Sequence, residues 1–66
     1  MIDYSLVDNG ETMLLSIPNQ GNWGTICFAW EKTNVEFTTA LNNKGLDFFI
    51  DLLIKDPNTA YTLMLN

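Results

Sequence analysis

The sequence predicts an α+β fold in which two β-hairpins, one helix and a C-terminal strand (ββββαβ) form a mainly antiparallel five-stranded sheet with the helix packed on one face. Three observations carry this expectation. Asn9-Gly10 lies between two runs of alternating polarity, residues 24–31 and 35–41 are rich in β-branched and aromatic side chains, and the apolar run from Leu46 to Ile54 is interrupted only by Asp47 and Asp51, at helical spacing. With 66 residues the chain has room for one domain, residues 1–66, which buries only about 60% of its unfolded surface.

Asn-Gly is a strong signal for a two-residue hairpin turn, and such a turn sets the register. Pairing outward from it places Leu6 opposite Met13, Tyr4 opposite Leu15 and Ile2 opposite Ile17 on one apolar face. Val7/Thr12, Ser5/Leu14 and Asp3/Ser16 fall on the other face, and a slip by one residue would reverse the arrangement. Pro18 and the polar cluster at 19–22 end the second strand. The segments 24–31 and 35–41 then predict a second hairpin around Lys32-Thr33-Asn34. In it Glu31 lies opposite Glu36, Trp30 opposite Phe37, Phe28 opposite Thr39 and Ile26 opposite Leu41, with Thr25, Cys27, Ala29, Thr38 and Ala40 behind.

A helix is expected from an N-cap at Asn42 or Asn43 to about Lys55, where Asp56-Pro57-Asn58 stops it. Lys44, Asp47, Asp51 and Lys55 make its polar stripe. The remaining side chains cover an apolar arc of roughly 240°, far wider than the ~100° stripe that docks a helix on one sheet. That excess calls for a second cover. Residues 60–65 alternate Tyr61, Leu63 and Leu65 with Ala60, Thr62 and Met64, which predicts a last strand with an open edge.

Composition excludes several function classes. Net charge is −5 and charged residues make up 17%, against ~25% in ordinary soluble domains. The imbalance reflects missing bases: there is no arginine, and only Lys32, Lys44 and Lys55 carry positive charge. Such a chain cannot assemble a phosphate-neutralising surface, so neither direct nucleic-acid binding nor docking on an anionic membrane is expected. No segment approaches the ~18 apolar residues of a membrane span, and the start of the chain has no basic stretch followed by an apolar run. A cytoplasmic protein is expected, with a lone thiol suited to a reducing compartment.

Catalysis fails on inventory. There is no histidine, and Cys27, the single cysteine, has no base near it in sequence and reads as a small apolar strand residue. An internal disulfide is impossible, and a zinc site lacks ligands. Asp47 and Asp51 read as a solvated helix stripe. Gly21-Asn22-Trp23-Gly24 lacks the spacing and lysine of a phosphate loop. No catalytic residue, cofactor or metal is expected.

A small acidic protein-binding inhibitor or adaptor remains, of the kind that phages direct at host-defence or nucleic-acid machinery, acting by occluding a partner surface. The expected partner is another protein, basic or itself nucleic-acid-binding, since opposite fields speed encounter. The candidate contact residues are Leu46, Phe48 and Leu52 on the helix flank, Asp47 and Asp51 beside them, and the acids Asp8, Glu11, Glu31 and Glu36. These last are expected to face one another across the hairpin tips, where like charges in register are mildly unfavourable. Trp23 completes the set, either as an exposed anchor or as a cap on the core. Two alternatives stand beside this reading. One is a homo-oligomeric structural or assembly protein whose helix flank or edge strand packs on its symmetry mate. The other is an oligomer that sequesters a small molecule.

Overall fold

The computed structural model describes every residue except Met1, Ile2 and Asn19, and Trp23 through its backbone only. The fold is α+β, but with a three-stranded antiparallel sheet and three helices in place of five strands and one helix. Strands β1 (Ser5–Asp8), β2 (Thr12–Ile17) and β3 (Ile26–Glu31) are followed by helices α1 (Val35–Lys44), α2 (Leu46–Lys55) and α3 (Ala60–Leu65). The chain divides into two compact units, Met1–Thr33 and Asn34–Asn66.

The first unit is the sheet, in the order β1-β2-β3. The predicted first hairpin is present, but its register differs. Asp8 accepts a hydrogen bond from the Gly10 N–H at 2.9 Å, and the Asn9 N–H bonds the Thr12 carbonyl at 2.9 Å. The turn is therefore centred one residue later, on Gly10-Glu11. Gly10, at φ +86°, takes the first central position, where a type II′ turn calls for glycine. Leu6 now pairs with Leu15 and Val7 with Leu14, while Ser5 pairs with Ser16 and Asp8 with Met13. This is a shift of two residues, and because side chains alternate with period two, each keeps its predicted face. The predicted Ile2/Ile17 pair lies outside the described residues.

β3 does not turn back on residues 35–41. It pairs with β2, placing Trp30 opposite Met13, Phe28 opposite Leu15 and Ile26 opposite Ile17. Leu15, Ile17, Ile26 and Trp30 are buried on this face. Cys27 lies on the reverse face, as its register position predicts, and is exposed there with its Sγ 3.7 Å from Ser16 Oγ, so it is not buried as a small apolar group.

The second unit is helical throughout. Asn34 caps α1, its Oδ1 accepting from the Phe37 N–H at 3.1 Å while its Nδ2 donates to Tyr61 Oη at 2.9 Å. Such a cap stabilises a helix by about 1 kcal/mol. Phe37, fully buried, meets Phe49 edge-on at 5.1 Å and stacks on Tyr61 at 5.3 Å, so one ring ties α1 to α2 and α3. At the other end of α1, Lys44 Nζ donates to the carbonyls of Leu63, Met64 and Asn66 at 3.3, 2.9 and 2.6 Å. With Asn34 meeting Tyr61 and Lys44 meeting the end of α3, α1 and α3 run in the same direction. Gly45, at φ +96°, separates α1 from α2. The predicted N-caps Asn42 and Asn43 lie in the last turn of α1, whereas the predicted stop after Lys55 holds.

Candidate protein-binding surface

At the turn end of the sheet, three of the candidate acids come together. Asp8 at the end of β1 accepts from Lys32 Nζ at 2.6 Å. Both residues lie on the Met13/Trp30 side, so the ion pair spans the sheet from β1 to the residue after β3. Lys32, with the Gly10 N–H, holds the Asp8 carboxyl below the usual carboxylate value of 3.8. The Lys32 N–H also bonds the Glu11 carbonyl at 2.9 Å, extending the β2–β3 ladder into the turn. Glu11, Glu31 and Lys32 border an open hollow of about 380 Å³.

The like-charge confrontations expected at the hairpin tips do not form. Asp8 faces Met13 instead of Glu11, because the turn moves. Glu31 faces Thr12 instead of Glu36, because residues 35–41 are helical and Glu36 sits in the first turn of α1. A carboxylate there is favoured by the helix dipole.

β1 is exposed along its whole length. Leu6, on the face shared with Leu15, is 42% exposed, and Val7, on the opposite face, 44%. Tyr4, just before the strand, is 45% exposed. The expected face is thus buried on β2 and β3 and open on β1. Sequence reasoning did not single out these positions. Their signal is a first strand with apolar residues on both faces and no lysine or proline to guard an edge.

In the helical unit the expectation from α2 changes most. Within its own unit the wide apolar arc is covered by α1 and α3, which pack against α2. Phe49, Ile50 and Leu53 are buried, and Leu46, Leu52 and Ile54 half-buried. Of the arc, Phe48 alone stands well exposed, at 45%. Asp47 and Asp51 are solvent-facing, and Asp51 is paired with Lys55 at 2.9 Å one turn on. Between α1 and α3 a second open hollow, of about 510 Å³, is bordered by Val35, Glu36, Ala40, Lys44 and Leu65. The Trp23 side chain lies outside what the structure describes.

Each lysine is thus engaged within its own unit: Lys32 by Asp8, Lys55 by Asp51, and Lys44 by the carbonyl end of α3. Among the described residues no group of three or more His, Cys, Asp or Glu side chains is placed to hold a metal ion. No described helix is long and apolar enough to cross a membrane. No protein-family pattern matches the chain, and neither a curated protein nor a solved structure matches it.

Proposed function

We propose that the protein acts in the cytoplasm by binding another protein, as a small acidic inhibitor or adaptor that covers part of a basic partner's surface. The observation that carries this reading is the engagement of all three lysines by groups of their own unit. With the cations so occupied, Asp3, Glu11, Glu31, Glu36, Asp47 and Asp56 present negative charge without an ion-pair partner among the described residues. Such a field attracts a lysine- or arginine-rich surface and repels phosphate. A protein that itself binds nucleic acid offers a surface of that kind. Exposed apolar side chains on β1 and at Phe48 supply area that charge alone does not.

Affinity capture from a native-host extract tests the reading, performed at low and at moderate ionic strength and repeated with Glu11, Glu31, Glu36 and Asp47 changed together to the corresponding amides. The expected result is a basic protein retained at low salt, released as salt rises, and lost with the neutralised variant. Retention indifferent to both changes would sink the reading. The homo-oligomer alternative loses its main support, because helices of the same unit cover the arc of α2 that was to pack on a symmetry mate. A monomer in size-exclusion chromatography with light scattering is the expected outcome.

A further inference from the structure

We propose that the outer edge of β1 takes up an extended, lysine- or arginine-bearing segment of the partner as an additional strand; this rests on the protein-binding reading above and names the surface that performs it. In an antiparallel pair, residues that exchange hydrogen bonds alternate with residues that do not. Asn9 and Thr12 are hydrogen-bonded, so Val7 and Ser5 also bond inward to β2. The N–H and C=O groups of Leu6 and Asp8 therefore point outward, along an edge that no strand among the described residues occupies.

Native proteins guard such edges with charged side chains, proline, bulges or very short strands. β1 (Ser-Leu-Val-Asp) is short, but it has no lysine, proline or bulge, its pairing with β2 is continuous from Ser5 to Asp8, and its one charge, on Asp8, is paired with Lys32. It offers Leu6 on one face and Val7 on the other, so a strand laid beside it gains apolar contacts on both sides as well as main-chain hydrogen bonds. The ion pair of Asp8 with Lys32 fixes the end of the strand before anything binds, which lowers the ordering cost. β3, the opposite edge, offers less, because Ile26 and Trp30 are already buried.

Charge selects the occupant. The sheet unit carries Asp3, Asp8, Glu11 and Glu31 against Lys32, and Lys32 is held by Asp8. Asp3 precedes the apolar part of the edge and Glu11 lies in the turn beyond it, both without an ion-pair partner among the described residues. A second copy would bring a net charge of −5 against the same charge, whereas a basic segment meets its complement.

The experiment uses the full chain with a synthetic peptide of alternating lysine and valine, followed by amide hydrogen exchange in NMR. Exchange at Leu6 and Asp8 should slow by roughly tenfold or more on saturation, and Leu6→Pro, which removes an outward donor that the sheet does not use, should weaken the peptide by a similar factor. Leu6→Ala, which keeps the donor, should lose less. Should Leu6→Pro fail to fold, a peptide N-methylated on alternate residues carries the same test, and it should not bind. The inference falls if the N-methylated peptide or a glutamate/valine peptide binds equally well, or if protection arises elsewhere. Protection of Leu6 without peptide, rising with protein concentration, would assign the edge to a second copy and also overturn it. A captured partner that holds Leu6→Pro as tightly as the native chain would remove β1 from the interface while leaving protein binding intact.

Discussion

Asp8 has no partner in sequence that announces its role, yet its one carboxylate ties together the turn and the far strand of the first unit. Its carboxylate accepts both the Gly10 N–H, which moves the turn, and Lys32 Nζ, which spans the sheet. Both donors favour the charged form, so its pKa is lowered in the folded chain relative to the ordinary 3.8. For a carboxyl lowered on folding, the stabilisation is fully present above the unfolded value and disappears as pH falls through the folded one. Lys32→Met should therefore lower the urea midpoint slightly at neutral pH, and the gap from the native chain should close as acid carries Asp8 below its depressed pKa. The contribution is small because both side chains are exposed. A gap that persists unchanged in strong acid would mean that Lys32 acts through packing of its stem. Sequence reading placed Asp8 at the hairpin tip but opposed it to Glu11, because the Asn-Gly signal outweighed the competing turn that an aspartate two residues before the glycine can make.

The hairpin and the helices differ in how far their sequences specify them. In the hairpin, period-two alternation on both strands confines the chain to one set of faces, which survives even where the turn moves. Residues 35–41 satisfy two periods at once: Val35, Phe37, Thr39 and Leu41 alternate as a strand would, while Asn34 and Gly45 frame a helix with Glu36 in its first turn and Lys44 in its last. The end signals prevail because Asn34 caps the helix and Phe37 reaches both Phe49 and Tyr61. Such packing overrides β-propensity. Residues 60–65 are too short for periodicity to decide; Ala60 and Met64 are buried while Thr62 between them is exposed, which is the helical pattern and not the alternation of a strand. Gly45 separates the two readings experimentally. Inside the single helix expected from an N-cap at Asn42 or Asn43 to about Lys55, Gly45→Ala would stabilise by up to about 1 kcal/mol. At φ +96° and ψ 150°, a conformation nearly reserved for glycine, it should instead cost about 1–3 kcal/mol, although beyond its immediate chain neighbours nothing crowds the added methyl. Urea denaturation of that one variant checks the junction of α1 and α2.

At the scale of the whole molecule the charge is lopsided and its cations are occupied. Of the eight acids, Asp8 and Asp51 are in ion pairs, and the other six have no ion-pair partner among the described residues. The two ion pairs are exposed and contribute little, while repulsion among the remaining carboxylates acts over distances that salt cuts to about 10 Å at 0.1 M. Repulsion should win. The urea midpoint is therefore expected to rise as sodium chloride is added from low ionic strength, with most of the gain complete by about 0.1 M. Lys32→Met, one charge more negative, should gain more from salt, and Glu11→Gln combined with Glu31→Gln should gain less. The same experiment bears on the partner surface, because the field that destabilises the free protein is the one that would draw a basic partner to it. A midpoint that falls with added salt would show that the ion pairs dominate, and would leave the charge with no evident role beyond solubility.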